Sequence, residues 1–490
     1  TTTNPPSGPD PIDPNDGRHT LTIDPNYGIY EGTDAPTIVR MAKGQVYVFG
    51  ADPTQEEHTF TGWTVEDSKN YNAESKIITM DEEDVSAIAG WIQNIDQDTN
   101  EINCYRVGNT YYNNFNTALN SIANTGTIYL ISNACTISEI ITIPEGKTIT
   151  FDLNGHQITD TTWIKNQGIF TITDTSNRKS GLLTAENRGD TSGYFIDNDN
   201  YPTYKNNNVY LIGAKIIDKT NGSIVYSHGG DVYVNGGEYT TSKRFVVHNG
   251  TGSAYIENSL IIIDGEGIPE STPDLSALLT AGQDKDNIKF TNNKIQILTY
   301  NTAVYPIYML SSANSIEVHD IDLDIEIKGQ PNSLFGAYLN EGIEIDNFNM
   351  YVHGTALAGG AGIQNEASSD ADLKVTNSSF KYDLQSVSSQ LVGMTYTING
   401  KKTILENVDL DINIAGGQQI YSMYGSEYDY TNGNVKINVS SGLNNIHGLH
   451  CTSICNINNV NVDIEESIGG GTIYGAYFDG LLNYNQGTIS

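Results

Sequence analysis

The sequence predicts an all-β chain: a long β-solenoid preceded by a small β-rich domain and a short capping helix. Three observations predict it. A phrase made of an apolar residue, any residue, Asn (or Asp or Gly), two further residues and another apolar residue recurs from Leu211-x-Gly213-x-x-Ile216 to Ile457-x-Asn459-x-x-Val462. Its centres are Gly213, Gly236, Asn258, Asn292, Asp320, Asn347, Asn377, Asn407, Asn432 and Asn459, at steps of 23, 22, 34, 28, 27, 30, 30, 25 and 27 residues. A period in the twenties with strand-like flanks marks a solenoid. A second column keeps the same spacing: Leu334-Phe-Gly-Ala-Tyr338, Leu391-Val-Gly-Met-Thr395, Ile420-Tyr-Ser-Met-Tyr424, Ile446-His-Gly-Leu-His450 and Ile473-Tyr-Gly-Ala-Tyr477. The third observation is composition. The chain has 490 residues, too many for one compact core, and its 30 Tyr with frequent Ile and Val favour strands.

Taken in order, residues 1–17 (TTTNPPSGPDPIDPNDG) read as a Pro-rich extended arm or linker with nothing to bury. Residues 18–93 read as the small β-rich domain, with strands around Leu21–Ile23, Val46–Phe49, Phe60–Thr64 and Ile77–Met80 and tryptophans at Trp63 and Trp91. Thr22-Ile-Asp-Pro-Asn-Tyr-Gly28, then Phe60-Thr-Gly-Trp63, then Ile78-Thr-Met-Asp-Glu-Glu-Asp-Val85 resembles the Listeria–Bacteroides (internalin-type B) repeat. The resemblance implies a β-grasp-like fold and a spacer or adhesive role on a bacterial surface. Two features depart from that pattern: Tyr27, where a second turn glycine is usual, and the insertion-like stretch Asn70–Ser75.

Residues 94–125 read as a connector carrying the helix, because Phe115, Leu119 and Ile122 fall on one helical face. A helix there caps the first coil, whose sheet edge is otherwise open. From 126 to 490 the chain reads as solenoid, about thirteen coils and a rod of about 60–65 Å at roughly 4.8 Å per coil. Phe115-Asn-Thr-Ala-Leu-Asn-Ser-Ile-Ala, Thr127-Ile-Tyr-Leu and Thr148-Ile-Thr-Phe-Asp-Leu-Asn-Gly-His resemble the opening of right-handed parallel β-helix domains of the pectate-lyase-like superfold, most of all those of bacterial adhesins. The Asn column has a physical reason. Asn tolerates the left-handed backbone conformation, and its amide can bond to the same Asn one coil away. Asn258, Asn292, Asp320, Asn347, Asn377, Asn407, Asn432 and Asn459 are the expected structural ladder.

The net charge of −34 argues against nucleic acid or an anionic membrane as partner. No apolar run approaches the ~18–20 residues of a membrane span. No leader is recognisable, so an exported chain is expected in processed form. Four cysteines lack zinc spacing; Cys104 with Cys135 and Cys451 with Cys455 are left as buried thiols or disulfides, the latter suiting an oxidising compartment.

Each chemistry-bearing pattern has a structural reading beside it. A lyase of this superfold uses Arg or Lys beside calcium-binding acids, and no motif places Arg178, Arg188 or Arg244 near such acids. The pairs Asp322/Asp324 and Asp409/Asp411 have glycosidase spacing, about 6.6 Å along a strand, but repeat as a solvated face does. Asp197-Asn198-Asp199-Asn200 offers oxygen ligands for calcium through Asp197 and Asp199, with an ordinary polar loop as the alternative. Tyr338, Tyr424, His450 and Tyr477 beside small residues suggest a glycan-stacking groove, or a stack serving stability alone. The sequence ends in mid-strand, with no sortase-type signal, so either the chain continues or another subunit covers the last coil. The function expected is a non-enzymatic extracellular stalk or adhesin on a bacterial cell surface. It is expected to bind host or environmental glycans or proteins and to assemble end to end, without cofactors. A polysaccharide lyase or glycoside hydrolase and a phage tailspike are the alternatives.

Overall fold

All eight residues of the Asn column lie in left-handed backbone conformation, with φ between +50° (Asn347, Asn377) and +57° (Asn258, Asp320). Gly213 and Gly236 occupy the same corner at +61° and +69°. The residue choice at this column is therefore a backbone requirement repeated once per coil. In the computed structural model the described residues are 17–490 without 67–69, 96–100, 186–192, 200–206, 269–273, 367–370, 398–401, 442–444 and 467–470. The Pro-rich arm before Gly17, Arg188 and Asn200 lie outside them.

The chain is nearly all-β, 65% strand with one helix among the described residues, and forms a right-handed-type β-solenoid of about 12 turns behind small N-terminal sheets. Successive coils pair in parallel, as in Thr148–Asp152 with Ile169–Thr173 and then Asn208–Ile212. Coil length varies. The step from Ile169 to Asn208 is nearly twice that from Thr148 to Ile169. Inward-pointing Ile, Val, Leu and Phe from every coil make one continuous core, from Tyr105 to Val462.

The helix is Phe115–Ser121, capped by Asn114, whose side chain accepts from the Thr117 amide at 3.0 Å. Its Phe115 meets Phe151 of the solenoid edge-on at 5.0 Å, so the helix covers the first coil. Lys147 closes the other end by donating to the Ile122 carbonyl at 2.6 Å. The hairpin Tyr105–Val107/Thr110–Tyr112 pairs antiparallel with Thr125–Leu130, adding strands at that same edge. A Cys104–Cys135 disulfide ties the connector to the first coils, while Cys451 and Cys455 are buried thiols.

The N-terminal domain has a four-stranded sheet, in which Arg18–Asp24 lies between Thr37–Ala42 and Val85–Gln93, and a smaller three-stranded one. Trp63 anchors its core, stacked on Phe49 at 4.8 Å. The stretch Asn70–Ser75 adds a short strand, Tyr71–Asn72, beside Ile77–Thr79. Tyr27 keeps the glycine-like conformation, φ +70°, which costs a bulky L-residue about 1–2 kcal/mol. Its ring lies between His156 (5.4 Å, 17°) and the Arg178 guanidinium (4.8 Å), both from the solenoid. Arg178 also grips Asp24 with two hydrogen bonds, 2.6 and 2.8 Å. Tyr27 and Arg178 thus make the contacts that join this domain to the rod.

Candidate functional site

The corner column sets what the outer flank presents. On the strand leaving each Asn corner, residues alternate between core and solvent, so those two, four and six places on point outward. Parallel register stacks them in rows. One row runs Asp264, Leu298, Glu326, His353, Asp383, Asn413, Asn438 and Glu465. Two depressions lie along it. One, of about 350 Å³, is lined by Asp264, Gln296, Asp324, Glu326 and His353 together with Ile262, Ile263, Ile297 and Leu298; the next, about 360 Å³, begins at Gly354 and takes in Asp383, Gln385, Asn413, Asn438, Ser440 and Glu465 together with Leu384, Ile414, Ala415 and Val439. Together they follow the row over roughly 34 Å, taking about 4.8 Å per coil, as a trough in which polar groups alternate with apolar ones such as Leu298, Leu384 and Ile414.

The polar groups of the trough hold one another. Asp383 accepts from the Tyr351 hydroxyl and the Asn413 amide, both at 2.9 Å, and pairs with Lys381 at 3.2 Å. Burial pushes its carboxyl up, but those three donors outweigh burial and hold it below the usual range. Asn413 accepts from Asn438 at 2.7 Å. The Asn438 Oδ1 is buried and has no hydrogen-bond partner. Buried acceptors are normally satisfied, and this one is an exception. The trough offers hydroxyl- and amide-bonding groups in a line, an arrangement suited to an extended, hydroxyl-rich polymer.

The paired acids have structural partners. Asp322 accepts from Asn349 at 3.3 Å and Asp324 faces His353 at 3.2 Å. Asp409 accepts from the backbone and side chain of Asn434 at 2.9 and 3.0 Å, and Asp411 from Asn413 at 3.2 Å. A glycosidase acid needs a carboxyl held protonated. The carboxyls with displaced values, Asp24, Asp320, Asp346 and Asp383, are all held low. The arginines are committed too, Arg178 to Asp24 and Arg244 to Asp274.

The corner ladder is made in segments. Asn292 donates to Asn258 at 2.7 Å, Asn347 to Asp320 at 2.6 Å, Asn407 to Asn377 at 3.0 Å and Asn459 to Asn432 at 2.8 Å. Asn377 instead donates to Asp346 at 2.8 Å, and Asp320, an acceptor only, binds His319 at 2.8 Å. One unbroken ladder is therefore replaced by short runs, because a carboxylate cannot pass the donor along.

The structure places Tyr338, Tyr424, His450 and Tyr477 in one row, with Tyr308 before them and Gln364 and Tyr396 between. A bulge after Ala361 puts Tyr396 in the row where the sequence pattern has Thr395. A second row beside it, from Phe335 through Tyr421 and His447 to Tyr474, was legible as the bulky second letter of the same motif. Within the row the rings stack on one another, as a stack serving stability would. Ring faces lie on each other, Tyr424 on His450 at 4.6 Å and His450 on Tyr477 at 4.9 Å. The glycines turn inward: a Cβ on Gly336 would lie 2.5 Å from the Met350 sulfur, and one on Gly448 2.6 Å from Val462. They let the backbone pass close over the core. Burial and His450 together push His447 down to about 4, and burial lowers His450, so this pair is neutral at pH 7, with its Nδ1 atoms 3.2 Å apart.

Asp197 and Asp199 each have a side-chain partner. Asp197 pairs with His228 at 3.3 Å and Asp199 with Lys165 at 2.8 Å. Among the described residues no three His, Cys, Asp or Glu gather as a metal site. No helix among them is long and apolar enough to cross a membrane. No family model matches this chain, and neither a curated protein nor a solved structure matches it.

Proposed function

We propose that this chain is an extracellular rod of a bacterial surface that holds an extended, hydroxyl-rich polymer, a polysaccharide above all, along its polar flank. The observation that carries the reading is the unpartnered Asn438 Oδ1 in a trough several coils long. The rigid scaffold supports a mechanical role, since parallel coils fix the trough in place along the rod. The Cys104–Cys135 disulfide supports an oxidising location. The test is retention on insoluble neutral polysaccharides and on a glycan array, with released sugar ends measured in the same samples. Binding without cleavage, weakened at least fivefold in Asn438→Ala, is the expected result. Cleavage products would favour the lyase or hydrolase reading, and unchanged retention in Asn438→Ala would remove the trough from it.

End-to-end association belongs to the same proposal. Light scattering and electron microscopy test it: strings of rods support it, lone monomers at high concentration count against it, and a parallel trimer would favour the tailspike reading.

A further inference from the structure

A crevice of about 610 Å³ lies between the N-terminal domain and the first coils. Gln55 and Asp34 line it from the domain, Arg106 from the connector hairpin, and Asn154, His156 and Asn177 from the solenoid. Its volume is that of sites for small ligands. It is separate from the flank trough, which shares none of these residues.

Two buried polar atoms in its wall have no hydrogen-bond partner, Nδ1 of His156 and Oε1 of Gln55. His156 is only 3% exposed, and a buried polar group without a partner is uncommon. Burial pushes its imidazole down to about 4, with the nearby His58 adding to the effect, so the ring is neutral at pH 7. A neutral imidazole nitrogen donates or accepts according to its tautomer.

The charges of the crevice are already committed. Arg106 pairs with Glu56 at 2.6 Å, and the Asp34 carboxylate accepts from the Asn177 backbone N–H at 3.1 Å. An anionic ligand thus meets no free cation. What the walls leave open are neutral donors and acceptors on both sides of a narrow gap. Across the gap, Tyr27 touches His156 and Arg178, and Arg178 pairs with Asp24.

We propose that this interdomain crevice binds a neutral polyhydroxylated ligand of mono- or disaccharide size, whose hydroxyls hydrogen-bond His156 Nδ1 and Gln55 Oε1. The test is saturation-transfer NMR on the full chain with a panel of neutral hexoses and their disaccharides at millimolar concentration. At least one sugar is expected to receive transfer, with affinity falling about tenfold in Gln55→Ala, the loss of one well-placed hydrogen bond. Asn177→Trp, at an exposed position on the rim, is expected to block binding by filling the gap. Thermal melting of both variants confirms that they are folded. No transfer to any sugar of the panel would overturn the proposal and leave ordered water as the occupant. Transfer undiminished in both variants would also overturn it, by placing the sugar elsewhere. Neither result bears on polymer retention by the flank, which is read in a separate assay.

Discussion

Replacing Asn407 by Ala and, separately, by Gly divides the two reasons for the corner column. Asn407 sits at φ +55° and donates to Asn377 at 3.0 Å. Ala loses both features. The left-handed backbone costs a residue with a Cβ about 1–2 kcal/mol, less for Asn, so Ala is disfavoured by about 1 kcal/mol. The exposed ladder bond adds about 0.5 kcal/mol. Gly loses the bond but adopts the conformation freely, at an entropic cost of a few tenths. The expected destabilisation is about 1.5 kcal/mol for Ala and about 0.5–1 kcal/mol for Gly. A solenoid opens coil by coil, so the assay is native-state hydrogen exchange in the strand Lys402–Tyr421. Exchange in Asn407→Ala should run about two- to fivefold faster than in Asn407→Gly. Equal or slower exchange in the Ala variant would refute the backbone explanation of the column.

Three further outcomes are expected. Burial pushes His156 and His248 down to about 4, below their unfolded value near 6.5. The unfolded chain then binds the protons first, so stability is full above about pH 6.5 and falls towards pH 4, by up to about 3 kcal/mol per residue. Melting temperature against pH checks this, and a flat profile between pH 7 and 4.5 would contradict it. Lys285 donates to the carbonyls of Gly250, Ala281 and Gln283 at 2.6, 2.8 and 2.5 Å. Lys285→Met strands these carbonyls at about 1–3 kcal/mol each where buried, and should lower the melting temperature and speed proteolysis near residues 281–285. Reducing Cys104–Cys135, a closure over 31 residues, should cost about 3–4 kcal/mol and loosen the capping helix, visible as faster amide exchange in Phe115–Ser121.

The solenoid is legible in the sequence because its demand is local and repeated. A left-handed corner admits few residue types, and the same demand falls on Asn258, Asn292, Asn347 and their equivalents once per coil. The helix followed from its own apolar face, Phe115, Leu119 and Ile122. The candidate sites were decided elsewhere. Whether Gly448 faces a groove or the core depends on the bend of the strand and on Val462 across it, which the motif does not encode. Thr395 and Tyr396 trade places through one bulge, and a single-residue slip reverses which side chain meets solvent. The trough joins Asp383 and Asn438, close only because coils of unequal length still stack in register. The crevice needs His156 and Gln55 brought together from separate domains, by a tyrosine held where the chain alone would favour glycine. Periodic local constraint was enough to specify the rod, and contacts between distant coils and domains were needed to specify its surfaces.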